Sequence, residues 1–440
     1  MRSRSLLKLL AKEWRELLAS RAYWLLLLMI GPLVGHGFIT AVDLYGEASG
    51  IGGGAAALSQ GLTPLDGILV PTFGAYDLAV TLLFPFVAIR MIAAEKESGA
   101  LKLLLQFPAS LGTTLAAKAV ALAGGWLIAW LPGLLAIVLW KSYGGHLYAP
   151  ESLNLFLGHL LHMALSGGVA VAAAAIAESA ASAAIATLGF TLGTWALDFI
   201  AVGRGGWLQE LANYTPTAAL RVFEQGQLRL GTVAVILALS GGGFVLAAPW
   251  LHSGRGWRYR LVATMVLGLA LAVVVIWAGG LRRSWDLSEN RRNSFSPADE
   301  AVLEKIGDPL LITVFLSPED PRFMDLDRGI ISKLKRILPR LEVDYAASSR
   351  TGLFEGYEDH YGEVWYEIGG RKAVNRSTTE PIVLEQVYEL AGLDPPDHSE
   401  ENEFPGYPLA ARPRWATWIF YILWPPATIL AWWLIRYQRS

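Results

Sequence analysis

The chain has no cysteine among its 440 residues. This excludes disulfides, thiolate metal sites and cysteine nucleophiles. Charge is scarce as well: 17% of residues are Asp, Glu, Lys or Arg, against roughly 25% in soluble globular proteins. No GxxxxGK[ST] phosphate loop occurs, and the glycine-rich "GGGFV" and "VGRGG" follow no strand pattern. The chain is therefore not expected to bind ATP by itself. No Ser-His-Asp set has useful spacing, and there is no internal repeat. Nothing points to a cofactor, a resident metal or a nucleic-acid partner.

Apolar residues are present in excess. They make up 53% of the chain, with 17 Trp and a mean hydropathy of +0.40, the balance of a membrane protein. Eight segments approach the roughly 20 apolar residues that a bilayer span needs, near 22–42, 73–93, 112–140, 154–177, 180–202, 230–250, 260–279 and 415–435. The fourth and fifth are dominated by Ala and Gly, with Glu178 the only charge between them. They read as two spans with a tight turn or as one kinked pair. The residues before the first span include Glu13 and Glu16, unlike the short basic start of a cleaved signal peptide. Leu6, Leu10, Trp14 and Leu17 recur at helical spacing. Residues 5–19 thus form either an amphipathic helix on the membrane surface or a plain cytoplasmic helical tail.

Orientation follows from Lys and Arg in the short loops. Arg2, Arg4, Lys8, Lys12, Arg15 and Arg21 precede the first span, and Arg90, Lys96 and Lys102 flank the second. Arg255, Arg258 and Arg260 separate the sixth and seventh, and Arg436 and Arg439 follow the eighth. Eight spans with both termini cytoplasmic place all four groups on one side. Residues 281–413 then lie outside. They hold 16 Lys and Arg against 25 Asp and Glu, a net of -9, while the rest of the chain holds 20 against 13, a net of +7.

This acidic insert reads as a folded unit. Ser296 can cap a helix that starts at Pro297, with Asp299 and Glu300 in its first turn. "LLITVFL" (310–316) is a buried-type strand, 327–338 a helix stopped by Pro339, and "LEVDY" (341–345) a second strand. That order favours parallel pairing. "EVWYEI" and "KAV" around Gly369-Gly370 read as a hairpin. Residues 379–390 form a last helix ending near Gly392, and 393–414 lead back to the membrane. The expected fold class is an α-helical polytopic membrane protein of about eight transmembrane helices with a small extracytoplasmic α/β domain. Its divisions are an N-terminal helix (1–21), a six-span domain (22–250), a cytoplasmic loop and seventh span (251–280), the α/β domain (281–413), and the eighth span with its tail (414–440).

Between the second and third spans lies "EKESGALKLLLQFPAS", followed by "LGTTLAAKA". It is acidic at its start and apolar in its middle, and a proline closes it. Glu95, Glu97, Gly99, Leu101, Leu104, Leu105, Pro108, Ser110 and Lys118 resemble the cytoplasmic segment of ABC-2-type permeases. Ala100 stands where that family often has Thr. The resemblance implies that the segment docks on a separate ATPase subunit and transmits its motion. Before the sixth span, "LANYTPTAALRVFEQGQL" resembles the external re-entrant helix of such permeases at Pro216, Phe223 and Gly226. A further stretch, "WDLSENRRNSFSPADEAVLEKIGDPLLITVFLS" (285–317), resembles the start of the extracytoplasmic auxiliary subunit of gliding-motility-type ABC transporters. It does so at Asp286, Leu287, Ser288, Arg291, Arg292, Phe295, Ser296, Leu303 and Pro309. The insert is much shorter than that family's usual domain.

Other polar residues have blander readings. His159 and His162 are three apart on the fourth span, a spacing that suits two metal ligands. With no third ligand near, they read as packing or interhelical hydrogen-bonding groups. "HSEENE" (398–403) reads as a solvated acidic linker, and Asp43, Asp77 and Asp198 as interfacial charge. The span centres hold no ionisable residue of the kind that ion and proton carriers need. The function implied is the permease subunit of an ABC-2-type exporter in the cell inner membrane, moving an amphiphilic, lipid-linked or polypeptide cargo. Its implied partners are an ABC ATPase, a second permease as homodimer or heterodimer, and membrane lipid. A membrane-anchored scaffold or sensor and a membrane-embedded enzyme are the alternatives. The enzyme needs clustered acids or histidines at one membrane face, which the sequence does not offer.

Overall fold

The computed structural model describes residues 2–50, 63–100, 103, 110–201, 207–212, 214–252, 254–317, 320–346, 360–398 and 404–438. Among them, eight helices are long and apolar enough to cross a membrane: Arg21–Ser49, Leu65–Glu97, Leu111–Ser142, Ala149–Ile176, Ala180–Ala201, Leu230–Leu251, Trp257–Gly279 and Trp418–Tyr437. They are spans one to eight below. Spans four and five are two separate helices. Their turn is at residues 177–179, where Ala177 leaves the helical region. The N-terminal helix, Arg2–Ala19, is packed against the bundle. Its Glu13 and Leu17 are buried, and a Cβ on Gly124 or Gly125 of span three would collide with Trp14 or Leu17.

Small residues let the spans approach closely, as expected where lipid removes the hydrophobic drive for helix association. A Cβ on Gly168 of span four would sit 2.5 Å from the Ser240 carbonyl oxygen, and one on Gly243 of span six 2.4 Å from that of Gly168. Span eight returns to span one. There Trp424 and Phe420 lie over Gly31 and Gly35, and the Trp424 indole donates to the Leu27 carbonyl at 2.8 Å.

Span three bends at Trp130, just before Pro132. In a regular helix the Gly133 amide would donate to the Ala129 carbonyl. The Tyr76 hydroxyl of span two stands between them instead. It accepts from Gly133 at 2.9 Å and donates to Ala129 at 3.2 Å, while its ring stacks on Trp130 at 4.3 Å. A side chain inserted into the helical ladder is a recognised cause of a kink.

The insert has a four-stranded sheet in the order β4-β3-β5-β6. β3 (Leu310–Val314) is parallel to β4 (Leu341–Tyr345) and antiparallel to β5 (Val364–Ile368), and β5 turns into β6 (Arg371–Asn375). Helical residues 321–337 connect the parallel pair. Gly369 and Gly370 make the hairpin turn at positive φ, which other residues adopt with strain. Leu310, Ile312 and Val314 alternate inward with Val364, Tyr366 and Ile368. They meet Leu326, Ile330, Leu334, Val383 and Val387 from the helices. Ser296 caps helix Pro297–Leu303 by accepting from the Asp299 amide, and Gly392 closes helix Glu380–Ala391 in the left-handed conformation. A two-stranded ladder, β1 (Gln227–Arg229) with β2 (Ser284–Asp286), joins the region before span six to the start of the insert.

Replacing Tyr76 with Phe keeps the ring but strands the Gly133 amide and the Ala129 carbonyl in the bundle. A buried group without its partner costs about 1–3 kcal/mol. Thermal unfolding in detergent is expected to show a lowered midpoint for Tyr76→Phe. An unchanged midpoint would mean that the hydroxyl does not bridge the kink.

Candidate functional site

At the end of span two, three consecutive side chains reach three different places. Glu95 is buried and meets Lys118 of span three at 2.9 Å and Lys12 of the N-terminal helix. Lys96 donates to the carbonyl oxygens of Ala174 and Ala175 at 3.3 and 2.9 Å, and to that of Ala177. It so caps the C-terminus of span four, where orphan carbonyls and the helix dipole favour a cation. Glu97 accepts from the Ala180 amide at 3.4 Å, at the N-terminus of span five, which favours an anion. Gly99 follows at φ +75° and turns the chain out of the helix.

The buried part of this junction is a compact charge cluster. Lys118 is 1% exposed and donates to Glu13 and to the Met91 carbonyl, both at 2.8 Å. Glu13 is fully buried, and Lys12 reaches it at 3.0 Å and Glu16 at 3.2 Å. Burial pushes the Glu13 carboxyl above its usual range, against the opposing charge and hydrogen bond of Lys118. Burial alone would lower Lys12, but its hydrogen bond to Glu95 and the Glu13 charge raise it above the ordinary ammonium value. One carboxyl oxygen from each of Glu13, Glu16 and Glu95 lies within 4.8 Å of the others, a spacing that suits a cation. Two ammonium groups already fill that role.

The segment after the junction runs from Gly99 to Ser110. Leu101, Leu104, Leu105 and Pro108 lie outside the described residues. Its far end is fixed: Ser110 caps span three by accepting from the Thr113 amide at 3.2 Å. Glu97 and Gly99 belong to the junction itself. Lys96, Glu13 and Lys12 were not singled out as site residues from the sequence. Helical spacing on the N-terminal helix hinted at its apolar face only, and Lys118 stood out only through the resemblance.

The second site is at the opposite end of the bundle. The loop helix, Pro216–Glu224, starts at Thr215, which accepts from the Ala218 amide, with Pro216 in its first turn. Phe223 is fully buried against span four, in space a Cβ on Gly158 would take. Asn154 of span four donates to the carbonyls of Phe223 and Gln227 at 3.2 and 3.1 Å. Gly226 turns at φ +78°, with Ser288 so near that a Cβ would meet it at 2.8 Å. Pro216, Phe223 and Gly226 therefore all position this element.

Residues 284–294 clasp that helix. Arg292 donates to the carbonyls of Gln225 and Glu224 at 3.1 and 3.3 Å, capping its C-terminus, and also meets Asp66. Asn293 adds a bond to Gln225 at 2.7 Å. Asp286 organises the turn, accepting from the Ser288 and Asn293 amides at 3.0 Å each and from the Ser294 hydroxyl at 2.8 Å. Glu289 binds His146 at 2.9 Å and the Tyr407 hydroxyl at 2.6 Å, and Tyr407 stacks on His146. The Asp286, Ser288 and Arg292 positions that the sequence resemblance rests on thus hold the insert to the bundle rather than building its own core.

Deeper in the bundle, the interfacial reading of Asp77 is corrected. Asp77 lies beside the buried His162 of span four at 3.1 Å, because helix register turns it inward. Asp198 instead pairs with Arg221 of the loop helix at 2.6 Å.

Two outcomes test these sites. Lys118→Met leaves two buried carboxylates short of a countercharge, and breaking a buried pair costs about 3–5 kcal/mol. The variant is expected to lose detergent-stable protein that the surface control Lys8→Met retains; equal recovery would show that the cluster is not needed. Leu228 and Trp285 are register partners in the β1-β2 ladder, and the chain has no native cysteine. The double variant Leu228→Cys with Trp285→Cys should therefore close an intramolecular disulfide under mild oxidation, detected by a mobility shift that reductant reverses. A failure to cross-link would argue against the clasp.

No curated protein and no solved structure matches the chain. Residues 7–223 match the family model described as ABC-2 family transporter protein, a stretch that contains the charged junction and all of the loop helix but its last residue. With eight apolar helices, this similarity supports a multi-pass membrane permease component of an ABC transporter.

Proposed function

We propose that the chain is the permease subunit of an ABC-2-type exporter, driven by ATP hydrolysis on a separate ATPase subunit. Both termini lie in the cytoplasm and residues 281–413 outside the cell inner membrane. The basic groups of the short loops support this orientation. The chain works as a homodimer or heterodimer of permeases and exports an amphiphilic, lipid-linked or polypeptide cargo. Residues 22–250 form the permease proper and 281–413 an auxiliary domain of the gliding-motility type, shortened and fused.

One observation carries this reading: the Glu95-Lys96-Glu97 junction. It ties the root of the segment 98–110 to the N-terminal helix and to spans three, four and five. A push on that segment therefore reaches four helices at once. Glu95, Glu97 and Gly99 set the root, while Leu101, Leu104, Leu105 and Pro108 supply the surface that meets the ATPase. At the other end, the loop helix and its clasp make the insert a docking or gating element. It is held between spans seven and eight and fixed to the loop helix by Arg292.

Leu104→Asp places a charge in the segment between spans two and three. It is expected to insert normally and to abolish co-purification of an ATPase subunit. Retained association and transport would remove the coupling role.

A further inference from the structure

A small cavity lies between spans two, four and five and the loop helix; Asp77 is not part of its wall but meets one wall residue, His162, at 3.1 Å. The volume of the cavity is about 10 Å³, room for a single water or a group of that size. Its polar lining is Thr81, His162, Ser166, Thr191, Thr194 and Thr217. Phe190 also lines it and is 37% exposed. The cavity thus reaches the apolar outer surface of span five, which also exposes Ile185, Trp195 and Phe199.

The chemistry of this lining selects its occupant. Ser166 gives its hydroxyl hydrogen to the Val80 carbonyl, Thr191 to that of Thr81 and Thr194 to that of Phe190, at 3.3, 3.1 and 2.9 Å. Their oxygens are left as acceptors. His162 is 6% exposed, and its Nδ1 has no hydrogen-bond partner. Arg221 is engaged by Asp198, and Asp77 meets His162. Glu224 at the end of the loop helix is close enough to sense Asp77, Arg221 and His162, and burial, with the Asp77 charge, pushes its carboxyl up to about 7. His159, a helical turn away, is fully buried among Phe73, Tyr76 and Trp130 with neither ring nitrogen hydrogen-bonded. Ionisable groups at such depth mark functional sites by default.

We propose that this cavity binds the protonated primary amine of an amphiphile, whose apolar part lies along the exposed face of span five. An –NH3+ group has the size of the one water that fits. It offers three donors to an acceptor-lined wall and brings a positive charge next to the Asp77–His162 pair. A carboxylate fails on charge. A trimethylammonium group fails on size and on its lack of donors. The inference names a substrate class for the permease reading and rests on it only for the step from binding to transport.

The test uses the full chain in nanodiscs of neutral lipid, without ATPase or ATP, so it does not depend on the coupling reading. Hexylammonium, hexyltrimethylammonium and hexanoate are titrated, and the shift in thermal midpoint and the quenching of tryptophan fluorescence are read. Hexylammonium is expected to shift the midpoint saturably, the other two not. Asp77→Asn should weaken hexylammonium binding at least tenfold. Thr194→Val, which loses one wall acceptor on a hydroxyl bonded only within its own helix, should weaken it severalfold and covers the case in which Asp77→Asn does not fold. Equal shifts from hexylammonium and hexanoate would overturn the proposal. So would unchanged binding in Thr194→Val, unchanged binding in a folded Asp77→Asn, or the absence of any saturable response. A normal response alongside retained ATPase association in Leu104→Asp would instead spare the site and sink the coupling reading.

Discussion

Much of one end of this molecule depends on a lysine ammonium buried between two carboxylates. Lys118 satisfies Glu13 from the N-terminal helix and Glu95 from span two, and none of the three is more than 4% exposed. Such a cluster adds little net stability compared with an apolar core of the same shape, but it tolerates only one arrangement, since removing any member leaves a buried charge. It thus works as a locator. With Glu95 held, its two neighbours can reach the ends of spans four and five, and opposite charges on adjacent residues match the opposite ends of two helix dipoles.

The two ends of the bundle use different means for similar tasks. One locks helices together with buried charge. The other uses main-chain pairing and helix-end carbonyls: the β1-β2 ladder, the Arg292 and Asn293 bonds to residues 224 and 225, and the Glu289 contacts to His146 and Tyr407. The second set borders solvent, where ion pairs are worth little, and most of its bonds are to backbone. Between the ends lie the kinked span three and the small polar cavity, where packing is interrupted.

How much of this could be read in advance follows the range of each signal. The eight spans rest on apolar runs and were legible. So were the Ser296 cap, the Gly369-Gly370 turn, the parallel β3-β4 pair and the Gly392 end, because each depends on a few neighbouring residues. Strand 310–316 was read two residues too long, an ordinary boundary shift. Contacts made over distance were not legible. Glu13 and Lys118 are 105 positions apart, and nothing local to either names the other. Asp77 looked interfacial because hydropathy counts depth along a span and not the direction a helix face points. Arg292 was marked by resemblance, yet its partners at 224 and 225 belong to another part of the chain. Leu101, Leu104, Leu105 and Pro108 remain readings of the sequence.

The three-residue ladder also constrains how the chain is made. β1 immediately precedes span six and β2 follows span seven within a few residues, so pairing them closes the hairpin of those two spans at its base. Two strands can pair only on the same side of a membrane. The ladder therefore cannot form until span seven has crossed back. During synthesis the loop helix waits, uncapped by Arg292, while the whole hairpin is inserted. The insert is then docked at the moment its own first strand emerges. A chain in which span seven stalled would keep β1 unpaired and leave residues 284 onward on the other side, away from the loop helix that Arg292 and Asn293 hold. The ladder is thus secondary structure that can form only after spans six and seven have both crossed.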